Sequence, residues 1–262
     1  MPGAPPAPAR LRMLDLALDN LSMDQALERI LGLLAQPGQH RVCFLNAHCM
    51  NIACRDLAYR RAVAGCDLVL ADGSGLALAG RLLGRRLRGN VNGTDLFPLL
   101  CQRLEGQGVK VYLLGGGPGV ADKVARWMNV NFPGLPLAGW RHGFFGPEQE
   151  PEVTQAIARS GADLLLVAMG VPRQELWIDR NLTACGVRVG VAVGGLFDFY
   201  SGRIPRAPRW LRRLGLEWIW RLLQEPRRMW QRYLLGNALF IHRILAERRG
   251  ASPWVRGKGQ NQ

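Results

Sequence analysis

Asp72 directly follows the apolar run Leu68–Ala71 and precedes Gly73. A carboxylate at the end of a buried strand is placed to act as a general base or to bind a ligand hydroxyl. A turn or helix cap is the plain alternative at that position. Other apolar runs end in a similar way, in Asn46-Ala-His48, Gly115-Gly-Gly-Pro-Gly119, Gly170-Val-Pro-Arg-Gln-Glu175 and Gly194-Gly-Leu-Phe-Asp198. Ligands collect beyond the carboxyl ends of strands in open parallel sheets, so these segments are expected on one sheet edge. The amides of Gly115–Gly119 could cradle a phosphate, although the spacing departs from G-x-G-x-x-G and no Walker lysine follows. A nicotinamide dehydrogenase is therefore the lesser reading. Gln174 and Glu175 open a helix behind Pro172 and could contact a substrate or serve as caps.

Metal chemistry finds little footing. No D-x-D is present, the four histidines are scattered, and His48 and His142 read as ordinary hydrogen-bonded residues. The six cysteines lie mostly in apolar segments without C-x-x-C spacing, which points to reduced structural thiols and no zinc site.

Continuous apolar runs at Val42–Leu45, Leu68–Ala71, Val109–Leu114, Leu164–Met169 and Val187–Val193 predict strands covered on both faces. Helical spacing predicts helices near Met50–Ala64, Thr94–Glu105, Val120–Asn131, Pro151–Ser160 and Pro172–Thr183. Another is announced by a capping box at Ser22–Gln25. The alternation predicts an α/β body with a Rossmann-like, mostly parallel sheet and flanking helices. Its expected span is 13–202, behind a flexible tail at 1–12.

The 262 residues suffice for one large domain, and 48% hydrophobic against 21% charged residues excludes a mainly disordered chain. No uninterrupted apolar run is long enough for a transmembrane helix, and the first residues lack a signal-peptide core. The net charge of +14 is uneven: residues 203–262 hold 14 Lys+Arg against 3 acids. Arg203-Ile-Pro-Arg206-Ala-Pro reads as a basic loop. Helices over Trp210–Gln224 and Pro226–Arg248 follow, mixing tryptophans with arginines. Arg221, Arg228 and Arg232 could hold a diphosphate without a metal. A solvated basic face explains most charge runs, but aromatic-plus-basic helices favour membrane interfaces or nucleic acid. A nucleic-acid-binding protein using this tail is the alternative function, though no DNA- or RNA-binding motif is present. Apolar surface on the tail could equally be covered by a second subunit.

Ala71-Asp-Gly, Asn92-Gly-Thr-Asp95, Val111-Tyr-Leu-Leu-Gly-Gly, Gly170–Glu175, Gly194–Asp198, Ser201–Pro208, Gly215-Leu-Glu-Trp218 and Arg221–Arg228 form an ordered series. Through it the chain resembles the WecG/TagA/CpsF family of bacterial glycosyltransferases, glycosyltransferase family 26. The resemblance covers about residues 41 to 233 and is most specific in its last third.

The resemblance implies a metal-independent, inverting transferase that needs no cofactor. It would move a sugar of N-acetylmannosamine, N-acetylmannosaminuronic acid or glucose type from a UDP-sugar to a polyprenyl-diphosphate-linked saccharide. The pathway would build a cell-surface polysaccharide. Asp72 falls on the proposed base, Gln174 on an active-site glutamine, and Asp198 on a residue that helps hold the nucleotide. Arg221, Arg228 and Arg232 fall on arginines needed for activity in a C-terminal appendage, here 203–262, that also meets the membrane. Further substrate contacts are expected from Asn46, Gly93, Thr94, Asp95, Gly115, Gly116, Glu175, Arg203 and Arg206. Asn90 stands where family members often carry arginine, and Arg88 is the candidate replacement. No nucleic acid is expected as partner. The expected location is peripheral, on the cytoplasmic face of the plasma membrane.

Overall fold

The computed structural model describes residues 10–250, except the side chains of Arg213 and Arg228. Its strands are β1 (Arg10–Met13), β2 (Leu16–Asp19), β3 (His40–Leu45), β4 (Leu68–Ala71), β5 (Val111–Gly115), β6 (Leu137–Arg141), β7 (Leu164–Ala168) and β8 (Val189–Ala192). They form one eight-stranded sheet in the order β1-β2-β4-β3-β8-β7-β5-β6. β1 and β2 pair antiparallel; all other pairs are parallel. β4, β7 and β8 are buried along their whole length, which is why they appear in the sequence as unbroken apolar runs.

The helices of the body are α1 (Met23–Ala35), α2 (Ala47–Ala53), α3 (Leu57–Ala64), α4 (Ser74–Leu82), α5 (Gly93–Leu104), α6 (Val120–Asn131), α7 (Glu150–Ser160), α8 (Arg173–Cys185) and α9 (Leu196–Tyr200). After them come α10 (Arg209–Arg213), α11 (Glu217–Gln224) and α12 (Pro226–Trp230). A π-helical turn at Gln231–Leu235 then runs into α13 (Gly236–Arg248). Two apolar clusters cover the two faces of the sheet. One contains Leu45, Tyr59, Trp177 and Phe240; the other contains Leu27, Phe97, Val124 and Phe197.

Several expectations need correction. The stretch near Met50–Ala64 is two helices, because Asp56 accepts from Tyr59 N and starts a second one. Trp210–Gln224 is likewise divided, with Gly215 at φ 71 between α10 and α11. β1 begins inside the expected tail; residues 1–9 of that tail lie outside the described residues. Nor is there a break in packing after Gly202: Phe240 and Ile244 are fully buried in the same cluster as β3 and α2. The final helix of the expected appendage is thus built into the body.

Candidate active site

Register alone places the first two polar groups together. Leu45 pairs with Ala71, and Asp72 N donates to Leu45 O at 2.7 Å, so Asn46 and Asp72 leave adjacent strands side by side. Asn46 caps α2, its Oδ1 accepting from His48 N and Cys49 N at 3.1 Å. Gly73, at φ 95, turns the chain sharply away from Asp72, and its N–H donates to Asn90 Oδ1 at 2.6 Å. Asn90 therefore steadies the loop that carries Asp72.

Two cavities meet at this edge, of about 610 and about 430 Å³. Both are lined by Asn46, Asp72, Thr94, Phe199, Arg221 and Arg232, so Asp72 stands at their junction. The smaller lobe runs along the ends of β5, β7 and β8, past Gly116, Gly170, Gly194 and Asp198. The larger lies under α4, α11 and α13, with Leu78, Leu216, Trp218, Tyr233 and Ile241 in its wall. Ser74 Oγ donates to Gly215 O at 3.0 Å, joining the two sides of that lobe.

Burial pushes the Asp72 carboxyl up to about 6, with Glu217 adding to the rise. Arg232, a hydrogen bond from the Asn46 side chain and Arg221 hold it from going higher. Such a group is ionised at neutral pH yet still basic enough to take a proton. His48 is lowered to about 4 by burial and by Arg232 and Arg55, which leaves it a neutral imidazole in the larger lobe.

Gln174 is 2% exposed and works as a staple. Its Oε1 accepts from Gly170 N at 3.2 Å and Gly194 N at 2.9 Å, tying the ends of β7 and β8 together. Its Nε2 donates to Glu175 Oε1 at 2.9 Å. Glu175 is buried, its carboxyl pushed up to about 7 by that burial, and Oε2 has no partner among the described residues. Gln174 lines the smaller lobe, whereas Glu175 lies behind it and lines neither.

Four of the tail's arginines are paired with carboxylates of the chain. Arg206 Nη1 and Arg212 Nη1 donate to Asp95 Oδ1 at 2.8 and 3.1 Å, and Arg206 also reaches Glu217. Burial alone would raise Asp95; the hydrogen bonds from Asn92 and Arg206 outweigh it and hold the carboxyl below its ordinary value. Arg203 lies 3.5 Å and Arg221 3.8 Å from Asp198. A solvated basic face describes the exposed Arg209 and Arg227 but not these four.

Of the expected site residues, Asn46, Asp72, Gly93, Thr94, Asp95, Gly116, Gln174, Asp198, Arg203, Arg221 and Arg232 line one lobe or both. Gly115 does not: a Cβ there would meet Ala168 O at 2.4 Å, so its glycine serves strand packing. Arg206 is turned to Asp95, and Arg88 is exposed and outside both lobes, its N–H donating to Asn20 Oδ1. Arg228 lies in α12, with its side chain outside the described residues. Arg173 and Phe144 in the smaller lobe, and Ser74, Trp218 and Tyr233 in the larger, were not singled out as site residues from sequence. Arg173 lies within Gly170–Glu175, one residue before Gln174, which is the signal that points to it. Among the described residues no three His, Cys, Asp or Glu side chains gather to hold a metal ion.

Residues 11–253 match the glycosyl transferase WecG/TagA/CpsF family. The chain is 32% identical over 205 residues, 78% of either sequence, to an N-acetylglucosaminyldiphosphoundecaprenol N-acetyl-β-D-mannosaminyltransferase of Bacillus spizizenii. It is 32% identical over 182 residues, 70% of either sequence, to a protein of the same description from Bacillus subtilis.

Proposed function

The chain belongs to the WecG/TagA/CpsF family of glycosyl transferases, and from that premise we propose that it moves N-acetylmannosamine or a related hexose from a UDP-sugar to a polyprenyl-diphosphate-linked saccharide. The observation that carries this reading is the position of Asp72 where the two lobes join, with Arg221 and Arg232 beside it in both. One substrate enters each lobe, and the reacting atoms meet at the carboxylate.

The smaller lobe suits the donor. Glycine loops at three strand ends admit a nucleotide closely, and Arg203, Arg221, Arg232 and the N-terminus of α5 offer positive charge to its diphosphate. The larger lobe suits the acceptor: its aliphatic and aromatic wall matches a polyprenyl chain, and its inner end reaches Asp72. Asp72 takes the proton of the acceptor hydroxyl as that oxygen bonds to the anomeric carbon. The bond from that carbon to the UDP oxygen breaks, and UDP leaves with the electron pair. Attack from the lobe opposite the nucleotide inverts the anomeric centre. Arginine charge stabilises the leaving diphosphate without a metal ion. Gln174 holds the donor loops in place.

Among the described residues no helix is long and apolar enough to cross a membrane. Exposed Trp210, Leu214, Leu223, Leu234 and Leu235 lie on the segment that walls the acceptor lobe. They fit peripheral contact with the cytoplasmic face of an anionic membrane, where a lipid-linked acceptor resides.

The test is UDP release from a panel of UDP-sugars mixed with a short-chain polyprenyl-diphosphate GlcNAc acceptor in EDTA. Acceptor-dependent release by the wild type, absent in Asp72→Asn, is expected and names the donor. A protein that neither releases nor binds UDP overturns the reading.

A further inference from the structure

Asn51 and Arg243 meet in the interior, 2% and 8% exposed, and line neither lobe. Arg243 Nη1 donates to Asn51 Oδ1 at 2.7 Å and to Asn51 O at 3.2 Å. Asn51 Nδ2 in turn donates to Gly236 O at 2.7 Å. The carboxamide is thus used at both ends, joining α2 to the first residue and to the middle of α13. Gly236 directly follows the π-helical turn, and its N–H reaches back to Gln231 O. Arg232 lies inside that turn.

A mostly buried cation held by neutral acceptors is a poor device for stability alone, since an apolar side chain of similar size would cost less. Other contacts already hold α13 to the body. Phe240 and Ile244 fill the core, and Glu247 accepts from Leu14 N at 2.8 Å and Arg85 Nη1 at 3.1 Å. What the Asn51 contacts add is a fix on the near end of the helix, where the turn carrying Arg232 ends. The same short helix α2 supplies Asn46 at its other end, beside Asp72.

We propose that Asn51, locked by Arg243, is a positioning residue for sugar transfer, holding the turn at Gln231–Leu235 so that the Arg232 guanidinium stays at the junction of the two lobes beside Asp72. The proposal rests on the transferase reading above. α2 acts as a bracket: Asn46 touches the base and Asn51 fixes the element that brings the base its cation. Arg232 Nε is buried with no hydrogen-bond partner among the described residues, and the ring its guanidinium meets, Tyr233 at 5.7 Å, belongs to the same turn, so its place depends on where that turn is held.

The groups acting on Asp72 are Arg232 from the turn, Glu217 and Arg221 from α11, and the amide of Asn46, which caps α2; Tyr233, on the same turn as Arg232, also faces it. Of the two cations, Arg232 acts the more strongly, and it also acts on His48. If the turn drifts, Asp72 loses cationic support and its carboxyl rises further.

The experiment compares kcat/KM against pH for wild type, Asn51→Asp, Arg232→Gln and the double variant. Asn51→Asp keeps an oxygen for Arg243, so Arg243 is not stranded, and replaces the donor to Gly236 O with a second oxygen and a negative charge. The ascending limb is expected to move up by about half a pH unit in each single variant, with kcat/KM down about tenfold in Asn51→Asp. The double variant should show no further displacement than Arg232→Gln alone, because both act through one guanidinium. A new carboxylate acting through space would instead add to the effect of Arg232→Gln, and additive displacements overturn the proposal. So does a lower Tm in Asn51→Asp with the limb unmoved, which assigns Asn51 to stability only. Should the wild type transfer no sugar, the transferase reading fails separately. The Asp72 carboxyl titration followed by carbon-13 NMR then decides, since an unmoved titration in Asn51→Asp rules out the bracket.

Discussion

Arg221 Nη2 stands 3.8 Å from Asp198 Oδ2, each side chain 13% exposed, and the guanidinium lies 5.1 Å from the centre of the Phe199 ring. A planar fork held between a carboxylate and a ring face is what lysine cannot reproduce. Arg221→Lys is expected to lower kcat/KM about 10- to 100-fold, and to weaken UDP binding measured by calorimetry. A lysine variant with wild-type values would show that charge alone suffices there.

The Asp72 carboxyl must be ionised to accept a proton. With its titration near 6, kcat/KM should climb through that pH and level off above it. Its effect on stability has the opposite sign. The folded protein keeps the proton to higher pH than an unfolded carboxylate of 3.8. The contribution is therefore full below about 4 and is lost as pH rises through 6. Asp72→Asn is expected to abolish transfer while raising Tm at pH 8 by about 2–4 °C. An unchanged or lower Tm would mean that the carboxylate is better solvated than its surroundings suggest.

Gln174→Ala strands two glycine amides at once. A loss of about 2 kcal/mol is expected in urea unfolding, together with a larger rise in donor KM than in acceptor KM, since Gly170 and Gly194 both line the donor lobe. Gln174→Glu restores the acceptor but sets a second carboxyl against Glu175. Its Tm deficit relative to wild type should therefore grow as pH rises through 7. Equal effects on both substrates would remove the staple from the donor side.

Leu234 and Leu235 are 53% and 58% exposed, and Arg209 and Arg227 of the same C-terminal segment are exposed as well. Sedimentation with phosphatidylglycerol vesicles is expected and should weaken with salt. Replacing both leucines with glutamate should reduce it about tenfold or more. Equal binding to neutral vesicles would leave the arginines without a part in docking.

Where the sequence was legible, a single local cause governed the outcome. The ends of β3, β4, β7 and β8 follow from apolar runs stopping at polar or glycine residues, and Asn46, Asp72, Gln174 and Asp198 all reach the cleft. Pairings between distant segments could not be read that way. Arg206 was expected at the substrate and instead binds Asp95, in the wall of the larger lobe, across 111 positions. The β1–β2 hairpin turns at Leu14 and Asp15, with φ of 47 and 58, and carries no glycine or asparagine to announce it. β6 is an edge strand without a fully buried run, and α4 begins in the glycine-rich stretch after Asp72.

That hairpin turn has a consequence for how the chain is made. Leu14 N meets its acceptor, Glu247, 233 residues later. On a ribosome the turn amide and the apolar underside of the hairpin emerge well before the helix that supplies that acceptor. Until then the sheet offers an incompletely covered face, the state in which a nascent chain is most open to chaperones and to association with its neighbours.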